Sequence, residues 1–347
     1  MPEHTACGRS AQIDAFLASA GWGGARRRPL ESDASFRHYT FLVDGARRAL
    51  LMDAPPGKED VRPYLRIARH LTALGLSAPR IYAEDEVSGL LVIEDLGEDT
   101  YTRLLVGGGD EDLLYALAVD VLIDLHRRAA AEAIPPGLAP YDEAALLREA
   151  LLFTDWYLPA ATRQRTDPQV RDAYIAAWRA VVPPVLAAPP TLVLRDYHVD
   201  NLLLLSGRPG VAACGLLDFQ DALAGHPAYD LVSLLEDARR DVDDGLSARM
   251  RRRYAVAFPG QDGPGANGAF DAAYAILGAQ RHMKVLGIFV RLSRRDGKPR
   301  YLVHLPRLWR LLERTVRHPA LAPVASWLDR NVPANLRSGV EHEVAVQ

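Results

Sequence analysis

Two aspartates and one asparagine in the middle of the chain have the types and spacing that catalysis could use. Asp196 and Asn201 lie five residues apart between two short apolar runs, and Asp218 directly follows a third. In phosphoryl transfer, one carboxylate accepts or orients the proton of the attacking hydroxyl, while an amide oxygen and a second carboxylate hold Mg²⁺ against the phosphates. Hard oxygen ligands suit Mg²⁺ and disfavour zinc. The pattern therefore predicts a phosphoryl-transfer site.

The alternative for these three residues is an ordinary turn, because Asp and Asn favour turns through hydrogen bonds to their own backbone. Asp218, placed across a predicted hairpin and after a sheet-plus-helix region, favours the functional interpretation. The neighbouring His198 and Asp200 fit structural hydrogen bonding better than catalysis. Asp230 fits an anchor for the loop better than a metal ligand.

Short strands are expected to position these residues. Apolar runs predict strands over 191–194, 202–205 and 214–217, the last two joined by the turn 206–210. Asp196 then follows the first strand, Asn201 precedes the second, and Asp218 follows the third. The hairpin formed by the second and third strands should bring Asn201 and Asp218 together.

The region before the candidate site combines a sheet with one helix. Runs at 36–43 and 49–52 flank Asp44-Gly45, which is typical of a hairpin, and apolar residues at helical spacing follow over 64–74. A buried strand over 90–93 precedes a turn, which predicts a hinge near residue 97. The remainder is mainly helical, with helices predicted over 113–125, 146–158, 270–295 and 301–316.

Composition excludes several classes of protein. Hydrophobic residues make up 49% and charged residues 24% of the 347 residues, as in soluble globular chains rather than disordered or fibrous ones. The net charge of −3 gives no positive field that would attract nucleic acid or an anionic membrane. Two cysteines cannot form a disulfide framework, and no apolar stretch is long enough to span a bilayer. We therefore expect a cytoplasmic protein without a nucleic-acid or membrane partner, and no obligate protein partner is evident.

Blocks spread over most of residues 10–335 carry a resemblance to a known family. They include Ser32-Asp33-Ala34-Ser35-Phe36-Arg37, Met52-Asp53-Ala54-Pro55-Pro56, Asp95-Leu96-Gly97, Arg195-Asp196-Tyr197, Asp218-Phe219-Gln220-Asp221-Ala222 and Gln280-Arg281-His282-Met283-Lys284. The sequence resembles the protein-kinase-like phosphotransferases, which include aminoglycoside phosphotransferases and choline kinases. Within them it is most similar to the bacterial anomeric amino-sugar kinases of cell-wall recycling, which phosphorylate N-acetylmuramate and N-acetylglucosamine at the anomeric hydroxyl.

The resemblance implies ATP and Mg²⁺ as cofactors and a small amino sugar as substrate. It implies Asp196 as catalytic base and Asn201 and Asp218 as magnesium ligands. The residues implied in nucleotide binding are the phosphate loop Ser32, Asp33, Ala34, Ser35 and Phe36 with the adjacent Arg37, and the hinge Glu94, Asp95 and Leu96, whose backbone would meet adenine. An ordinary β-turn with a polar tip is the alternative for the loop.

Two positions depart from the family pattern. Leu194 stands where the family has a histidine before the Arg-Asp pair. Met52 or Asp53 stands where a strand lysine would meet the α- and β-phosphates, and Lys58 is the only lysine of the first lobe. Either an arginine such as Arg37 or Arg48 replaces the lysine, Lys58 folds back, or the nucleotide binds weakly. Arginine can bind phosphate bidentately, so the replacement is physically reasonable.

The sugar site is expected on a helix near residue 281. Arg281, His282 and Lys284 form a basic block, in which positions 281 and 284 share a face and could meet the lactyl carboxylate of N-acetylmuramate. A solvated helix face or an internal salt bridge is the alternative. Trp156 could pack against a sugar ring, although aromatic residues at helical spacing are more often core.

The fold class expected from these observations is α+β, with the two-lobed, protein-kinase-like arrangement of the aminoglycoside phosphotransferases. Residues 1–97 would form a small β-rich nucleotide-binding lobe, and residues 98–347 a larger helical lobe for catalysis and substrate binding. Two other functions compete with the amino-sugar kinase. One is a kinase for another small alcohol or an aminoglycoside, and the other is a weakly catalytic nucleotide-binding pseudokinase.

Overall fold

The structure is a computed structural model that describes residues 3–30, 37–258 and 268–340, with side chains from residue 8 onward. Its strands are β1 (Arg26–Leu30), β2 (His38–Asp44), β3 (Arg47–Asp53), β4 (Ile81–Asp85), β5 (Leu90–Ile93), β6 (Thr191–Val193), β7 (Leu202–Leu204), β8 (Cys214–Leu216) and β9 (Leu223–Gly225). Its helices are α1 (Glu3–Ser19), α2 (Arg62–Ala73), α3 (Tyr101–Val106), α4 (Glu111–His126), α5 (Ala130–Ala133), α6 (Glu143–Ala150), α7 (Leu158–Thr162), α8 (Pro168–Val181), α9 (Pro183–Ala187), α10 (Ala228–Leu235), α11 (Asp244–Val256), α12 (Ala269–Asp296), α13 (Leu305–Thr315) and α14 (Ala322–Asn331). None of the helices within these ranges is long and apolar enough to cross a membrane.

The chain divides into two compact units. The first contains Met1–Val121 and Val199–Ala222, and the second contains Leu122–His198 and Leu223–Gln347. The predicted boundary at residue 97, which separates the chain by function, stays a prediction.

The first unit is built on an antiparallel sheet in the order β1-β2-β3-β5-β4. One side of the sheet packs against α1, where Leu17 and Trp22 join Leu42 and Leu51 in an apolar cluster. Burial of such side chains stabilises the fold by about 1.5–3 kcal/mol each. The predicted hairpin at Asp44-Gly45 is confirmed, because β2 and β3 pair across it. The β7–β8 hairpin belongs to the same unit and also agrees with the sequence.

The second unit is helical and is organised around α12. This helix is buried along most of its length, and Gly287 faces the backbone of Leu152, where a Cβ atom would lie only 2.2 Å from the carbonyl oxygen. Any side chain at position 287 would therefore push α12 away from the segment that follows α6. The strand β6 pairs with β9 in this unit.

The helix predicted over 146–158 is wrong as a single regular element. The structure instead has α6, a π-helical turn over Phe153–Tyr157 and then α7. Phe153 stacks on Tyr157, whose ring packs against Trp309, and Tyr157 donates a hydrogen bond to the Leu336 carbonyl. A π-turn inserts an additional residue into a helix, and here it turns aromatic side chains into a core that local periodicity does not reveal.

Candidate active site

A cleft of about 420 Å³ in the first unit contains several of the predicted residues. Its apolar lining comes from the β-sheet and from the β7–β8 hairpin, with Leu50 and Ile93 on one and Leu203 and Leu217 on the other. The segment 94–98, together with Asn201 and Asp218, supplies polar groups. An apolar slot with a few polar groups is the usual form of a small-molecule site.

The hinge segment is held by its own side chains. Glu94 forms an ion pair with Arg208 at 2.5 Å, and Arg208 also donates to the Ser77 hydroxyl at 2.7 Å. Asp95 accepts a hydrogen bond from the Gly97 backbone at 2.9 Å, where φ is +88° and favours glycine. These contacts fix the path of the backbone along the wall of the cleft.

Asn201 and Asp218 lie together, as the hairpin predicts. The Leu217 amide donates to the Asn201 carbonyl at 2.9 Å, and Asn201 Nδ2 lies 3.4 Å from Asp218 Oδ2. Asp218 has a φ of +58°, in the left-handed region that non-glycine residues seldom adopt and that recurs at functional sites. Gln220 Nε2 donates to Asp218 Oδ1 at 2.8 Å.

The donor chemistry of this pair fits Mg²⁺. A carboxylate and an amide oxygen are hard ligands, and Mg²⁺ is commonly held by one or two protein groups together with water and phosphate oxygens. Over the described ranges, no cluster of three or more His, Cys, Asp or Glu is placed to hold a metal ion. The aspartate–asparagine pair is therefore the candidate for the metal.

The predicted phosphate loop, Ser32–Phe36, lies outside the described residues. The adjacent Arg37 is buried and forms an ion pair with Glu59 at 3.1 Å. Burial alone would lower the pKa of Arg37, but the charges of Tyr39, Glu59 and Asp218 raise it above its ordinary value. Arg37 is therefore a permanent cation in the electrostatic field of Asp218.

The other candidates for the missing lysine are placed differently. Met52 is fully buried in β3, and Asp53 forms an ion pair with Arg9 at 2.5 Å. Arg48 is exposed on the same strand, and Lys58 is exposed beyond it. Of these residues, Arg37 is the one on which the charge of Asp218 acts, and its contact with phosphate stays a prediction.

Asp196 belongs to the second unit, directly after β6. The preceding Arg195 has a φ of +70°, and Asp230 accepts hydrogen bonds from the backbone amides of Leu194 at 2.7 Å and Arg195 at 2.9 Å. Asp230 thus anchors the loop, as predicted from the sequence. Leu194 is buried, and its backbone is held by this carboxylate.

Asp196 is a half-buried carboxylate whose neighbours favour its ionised form. Burial would raise its pKa, but the positive charges of Lys284 and Arg281, followed by those of His198 and Arg195, hold the pKa below its ordinary value. An ionised carboxylate can accept a hydrogen bond from an attacking hydroxyl. The predicted convergence of Asp196 with Asn201 and Asp218 in one cleft stays a prediction.

Glu149 is the residue of this region that sequence reasoning missed. Its carboxylate forms ion pairs with Arg195 and with Lys284, the latter at 3.0 Å, and also accepts from Tyr141 and Gln280. The one signal in the sequence is a glutamate within the apolar run over 145–152. Side chains far apart along the chain therefore meet at the Glu149 carboxylate.

The predicted sugar-site residues take part in contacts within the second unit. Arg281 donates to the Arg195 carbonyl at 3.3 Å, His282 Nε2 lies 2.6 Å from Glu236 Oε2, and Lys284 contacts the Tyr229 hydroxyl at 3.1 Å as well as Glu149. All three are buried, whereas Trp156 is half-buried on the π-turn. The structure thus gives the basic block an internal role, and its contact with a sugar stays a prediction.

Comparison with known proteins gives agreement over nearly the whole chain. The model of the phosphotransferase enzyme family matches residues 26–267. The N-acetylmuramate/N-acetylglucosamine kinase of Caulobacter vibrioides is 38% identical, with 95% of this chain and 98% of that protein covered. The protein of the same name from Pseudomonas aeruginosa is 38% identical, with 96% of each covered.

A solved structure agrees in fold. A choline kinase of Streptococcus pneumoniae superposes with a TM-score of 0.60 at 13% identity, covering 90% of this chain and 98% of that one. At that identity the likeness concerns the fold alone, and it confirms the predicted kinase-like fold class. The family model matches well over half of this chain, and relatives named as kinases match nearly all of it. The chain therefore belongs to the phosphotransferase enzyme family.

Proposed function

We propose that this chain is an ATP-dependent kinase that phosphorylates the anomeric hydroxyl of N-acetylmuramate and N-acetylglucosamine. The product would be the sugar 1-phosphate, made in the cytoplasm during peptidoglycan recycling. The observation that carries the proposal is the 38% identity to kinases of that name over at least 95% of this chain. The residues of the two units support it in different ways.

The first unit would bind the nucleotide. Its cleft offers apolar side chains for a flat base, and the backbone of 94–96 runs along the same wall. Arg37 would contact phosphate oxygens, because its guanidinium is a permanent cation with a fork of donors that matches phosphate geometry. Asn201 and Asp218 would hold Mg²⁺, which when bound neutralises charge on the phosphates.

The second unit would supply the group that orients the acceptor. Asp196 is ionised, so its carboxylate can accept a hydrogen bond from the anomeric hydroxyl and align that oxygen with the phosphoryl group. In the loose transition state of phosphoryl transfer, little proton transfer is needed early, and positioning supplies most of the catalysis. The two hydrogen bonds that Asp230 accepts from the backbone amides of Leu194 and Arg195 would hold Asp196 in place.

The two other functions fit these observations less well. A polycationic aminoglycoside would meet Lys284 and Arg281 beside Asp196, and like charges disfavour such a ligand. A pseudokinase would not need an ionised Asp196 together with a carboxylate–amide pair at Asn201 and Asp218. The absence of a lysine at the phosphate-binding position of the strand is the feature that favours a pseudokinase.

A phosphate-transfer assay over a panel of acceptors separates the three functions. Purified full-length protein is incubated with ATP, Mg²⁺ and either N-acetylmuramate, N-acetylglucosamine, an aminoglycoside or no acceptor. Phosphorus NMR should show a sugar 1-phosphate with the two amino sugars. A 6-phosphate product, turnover with the aminoglycoside alone, or no turnover with any acceptor contradicts the proposal.

Replacement of Asp218 tests the metal assignment. Asp218→Asn removes one hard, charged ligand, so we expect the Mg²⁺ concentration at half-maximal rate to rise by about 10-fold or more, in line with the loss of a charged interaction of about 1.5–3 kcal/mol. Rates are measured as a function of Mg²⁺ at saturating ATP and sugar. Asp221→Asn is the matched control three residues away, and an unchanged Mg²⁺ dependence in Asp218→Asn would remove the residue from the metal site.

Replacement of Arg37 tests which cation meets the phosphates. Arg37→Gln should raise the KM for ATP by about 10-fold or more, as expected for loss of a charge-assisted contact of about 1.5–3 kcal/mol, with a much smaller change in the KM for sugar. Arg48→Gln, on the exposed face of β3, should leave both values unchanged. If only Lys58→Gln raises the KM for ATP, Lys58 is the cation that contacts the phosphates and the assignment to Arg37 is wrong.

A further inference from the structure

The β7–β8 hairpin is bonded to other parts of the first unit along both of its edges. Along β8, Ser77 forms a β-bridge with Gly215, and along β7, Thr100 forms one with Leu203. Ser77 precedes β4, and Thr100 follows the hinge. The hairpin that brings the candidate metal pair together is therefore also the support on which the hinge region is built.

Arg208, in the turn between β7 and β8, connects this hairpin to the hinge. Its Nη2 donates to Glu94 Oε1 at 2.5 Å, and its Nη1 donates to the Ser77 hydroxyl at 2.7 Å. That hydroxyl in turn donates to the Ala212 carbonyl, in the same hairpin connection, at 2.6 Å. The side chains of Arg208 and Glu94 are only 26% and 16% exposed, so water and salt screen their charges less than those of a surface pair.

Glu94, the first hinge residue, is held through its side chain and its backbone. While Oε1 accepts from Arg208, Oε2 accepts from the Arg80 amide at 3.3 Å. The Glu94 amide donates to the Arg80 carbonyl at 2.8 Å. The hinge therefore cannot shift at this end without breaking a charge-assisted hydrogen bond, which is the stronger kind.

The other end of the hinge packs on the hairpin directly. A Cβ atom at Gly215 would lie 3.3 Å from Leu96 Cδ1 and 3.2 Å from Leu203 Cβ. Both separations are tighter than ordinary contacts, so a methyl group here would force its neighbours to move. Leu96 is thus seated closely on β8, and the hinge meets the hairpin at both of its ends.

We propose that Arg208 is a positioning residue for the nucleotide, which holds the hinge in register with Asn201 and Asp218 at the outer ends of the same hairpin. The inference rests on the proposed function, in which the hinge backbone meets adenine and the aspartate–asparagine pair holds Mg²⁺ against the phosphates. One nucleotide must reach both places, and a site that is already ordered binds it more tightly. Among the described residues that line the cleft, Arg208 is not present, so it acts through Glu94 and Ser77.

Arg208→Met tests the proposal, because methionine keeps a long side chain but removes the cation. If the hinge then keeps its path in only about a tenth of the molecules, the Kd for ADP with Mg²⁺ rises about 10-fold. Calorimetry with the full-length protein measures this Kd without any sugar. Arg208→Lys retains a positive charge for Glu94 and should recover most of the loss. Arg62→Met is the control, because Arg62 pairs with Asp60 at an exposed site outside the cleft, and it should bind ADP as the wild type does.

Steady-state kinetics separate positioning from a general loss of structure. In Arg208→Met the KM for ATP should rise by the same factor as the Kd, while kcat at saturating ATP and the KM for N-acetylglucosamine are kept. A variant that is partly unfolded would instead lose kcat, and thermal unfolding identifies it. Glu94→Gln should raise the Kd for ADP as well, and combining it with Arg208→Met should add little, because both changes remove the same interaction.

Two results would overturn the proposal: wild-type ADP affinity in folded Arg208→Met, or a loss of kcat without a change in the KM for ATP. If Arg208→Met does not fold, Glu94→Gln decides in the same way through its Kd for ADP. If the wild type binds ADP but phosphorylates no amino sugar, the proposed acceptor fails, and calorimetry still decides the role of Arg208. If the wild type does not bind ADP, the proposed function fails and this inference fails with it.

Discussion

Asp196→Asn should lower kcat by at least ~100-fold, the usual cost of removing a general base, and should leave ATP affinity almost unchanged. The amide keeps the size of the side chain but carries no negative charge to orient the attacking hydroxyl. The groups proposed to bind the nucleotide belong to the other unit of the chain, so their contacts should remain. The measurements are ADP release under saturating substrates and ATP binding by calorimetry.

Asp172→Asn, on the exposed face of α8, is the control for the same chemical change and should behave as the wild type. The pH profile adds a second check. Because the pKa of Asp196 is held below its ordinary value, protonation of this residue should not reduce the wild-type rate as the pH falls from 8 to about 5. If Asp196→Asn keeps more than a tenth of the wild-type kcat, Asp196 is not the base.

The sequence predicts those parts of the site whose residues lie close together along the chain. Asn201 and Asp218 flank two short apolar runs joined by a turn, and a hairpin necessarily brings its outer ends together. The contact of Asn201 Nδ2 with Asp218 Oδ2 follows from that register. Asp230 could be predicted as an anchor because a carboxylate in an apolar helix needs donors, and backbone amides supply them.

The remainder depends on contacts between distant residues. Glu149 and Lys284 are more than a hundred positions apart, and no local periodicity pairs them. The sequence does not predict the strand β1, because its five residues are exposed and do not alternate between polar and apolar. The sequence reveals the spacing of the basic residues at 281–284 but not that their side chains are buried. Because they are buried, these side chains contact partners within the second unit.

Glu149→Gln should lower the free energy of unfolding by about 3–5 kcal/mol, the usual cost of removing one partner from a buried ion pair. Glutamine keeps the size of the side chain but leaves Arg195 and Lys284, with side chains only 18% and 7% exposed, without this counter-charge. Glu143→Gln is the matched control on the same helix, because its pair with Arg179 is exposed and should contribute no more than about 1 kcal/mol. Urea unfolding at neutral pH measures both.

The contribution of Glu149 to the free energy of unfolding should depend on pH. Burial opposes ionisation of Glu149, but Lys284 and Arg195 lower its pKa to about 2, below the ordinary 4.5. A carboxylate with a depressed pKa stabilises the fold above its unfolded pKa and loses that contribution as the pH falls toward the folded value. The difference in stability between the wild type and Glu149→Gln should therefore narrow as the pH is lowered from about 4.5 toward 2.

A second substitution separates charge balance from packing. In Glu149→Gln combined with Lys284→Met, one buried positive charge is removed together with the negative one, so stability should recover relative to Glu149→Gln alone, with a coupling free energy of about 1–3 kcal/mol. If no recovery occurs, Glu149 acts through the hydrogen bonds that it accepts from Tyr141 and Gln280 rather than through charge.

Glu149→Gln should also affect kcat, because Glu149 pairs with Arg195. Arg195 has a backbone with positive φ and directly precedes Asp196. Loosening of the Glu149–Arg195 ion pair should therefore displace the Asp196 carboxylate, which in the proposed function aligns the acceptor, so kcat should fall while the KM for ATP is kept.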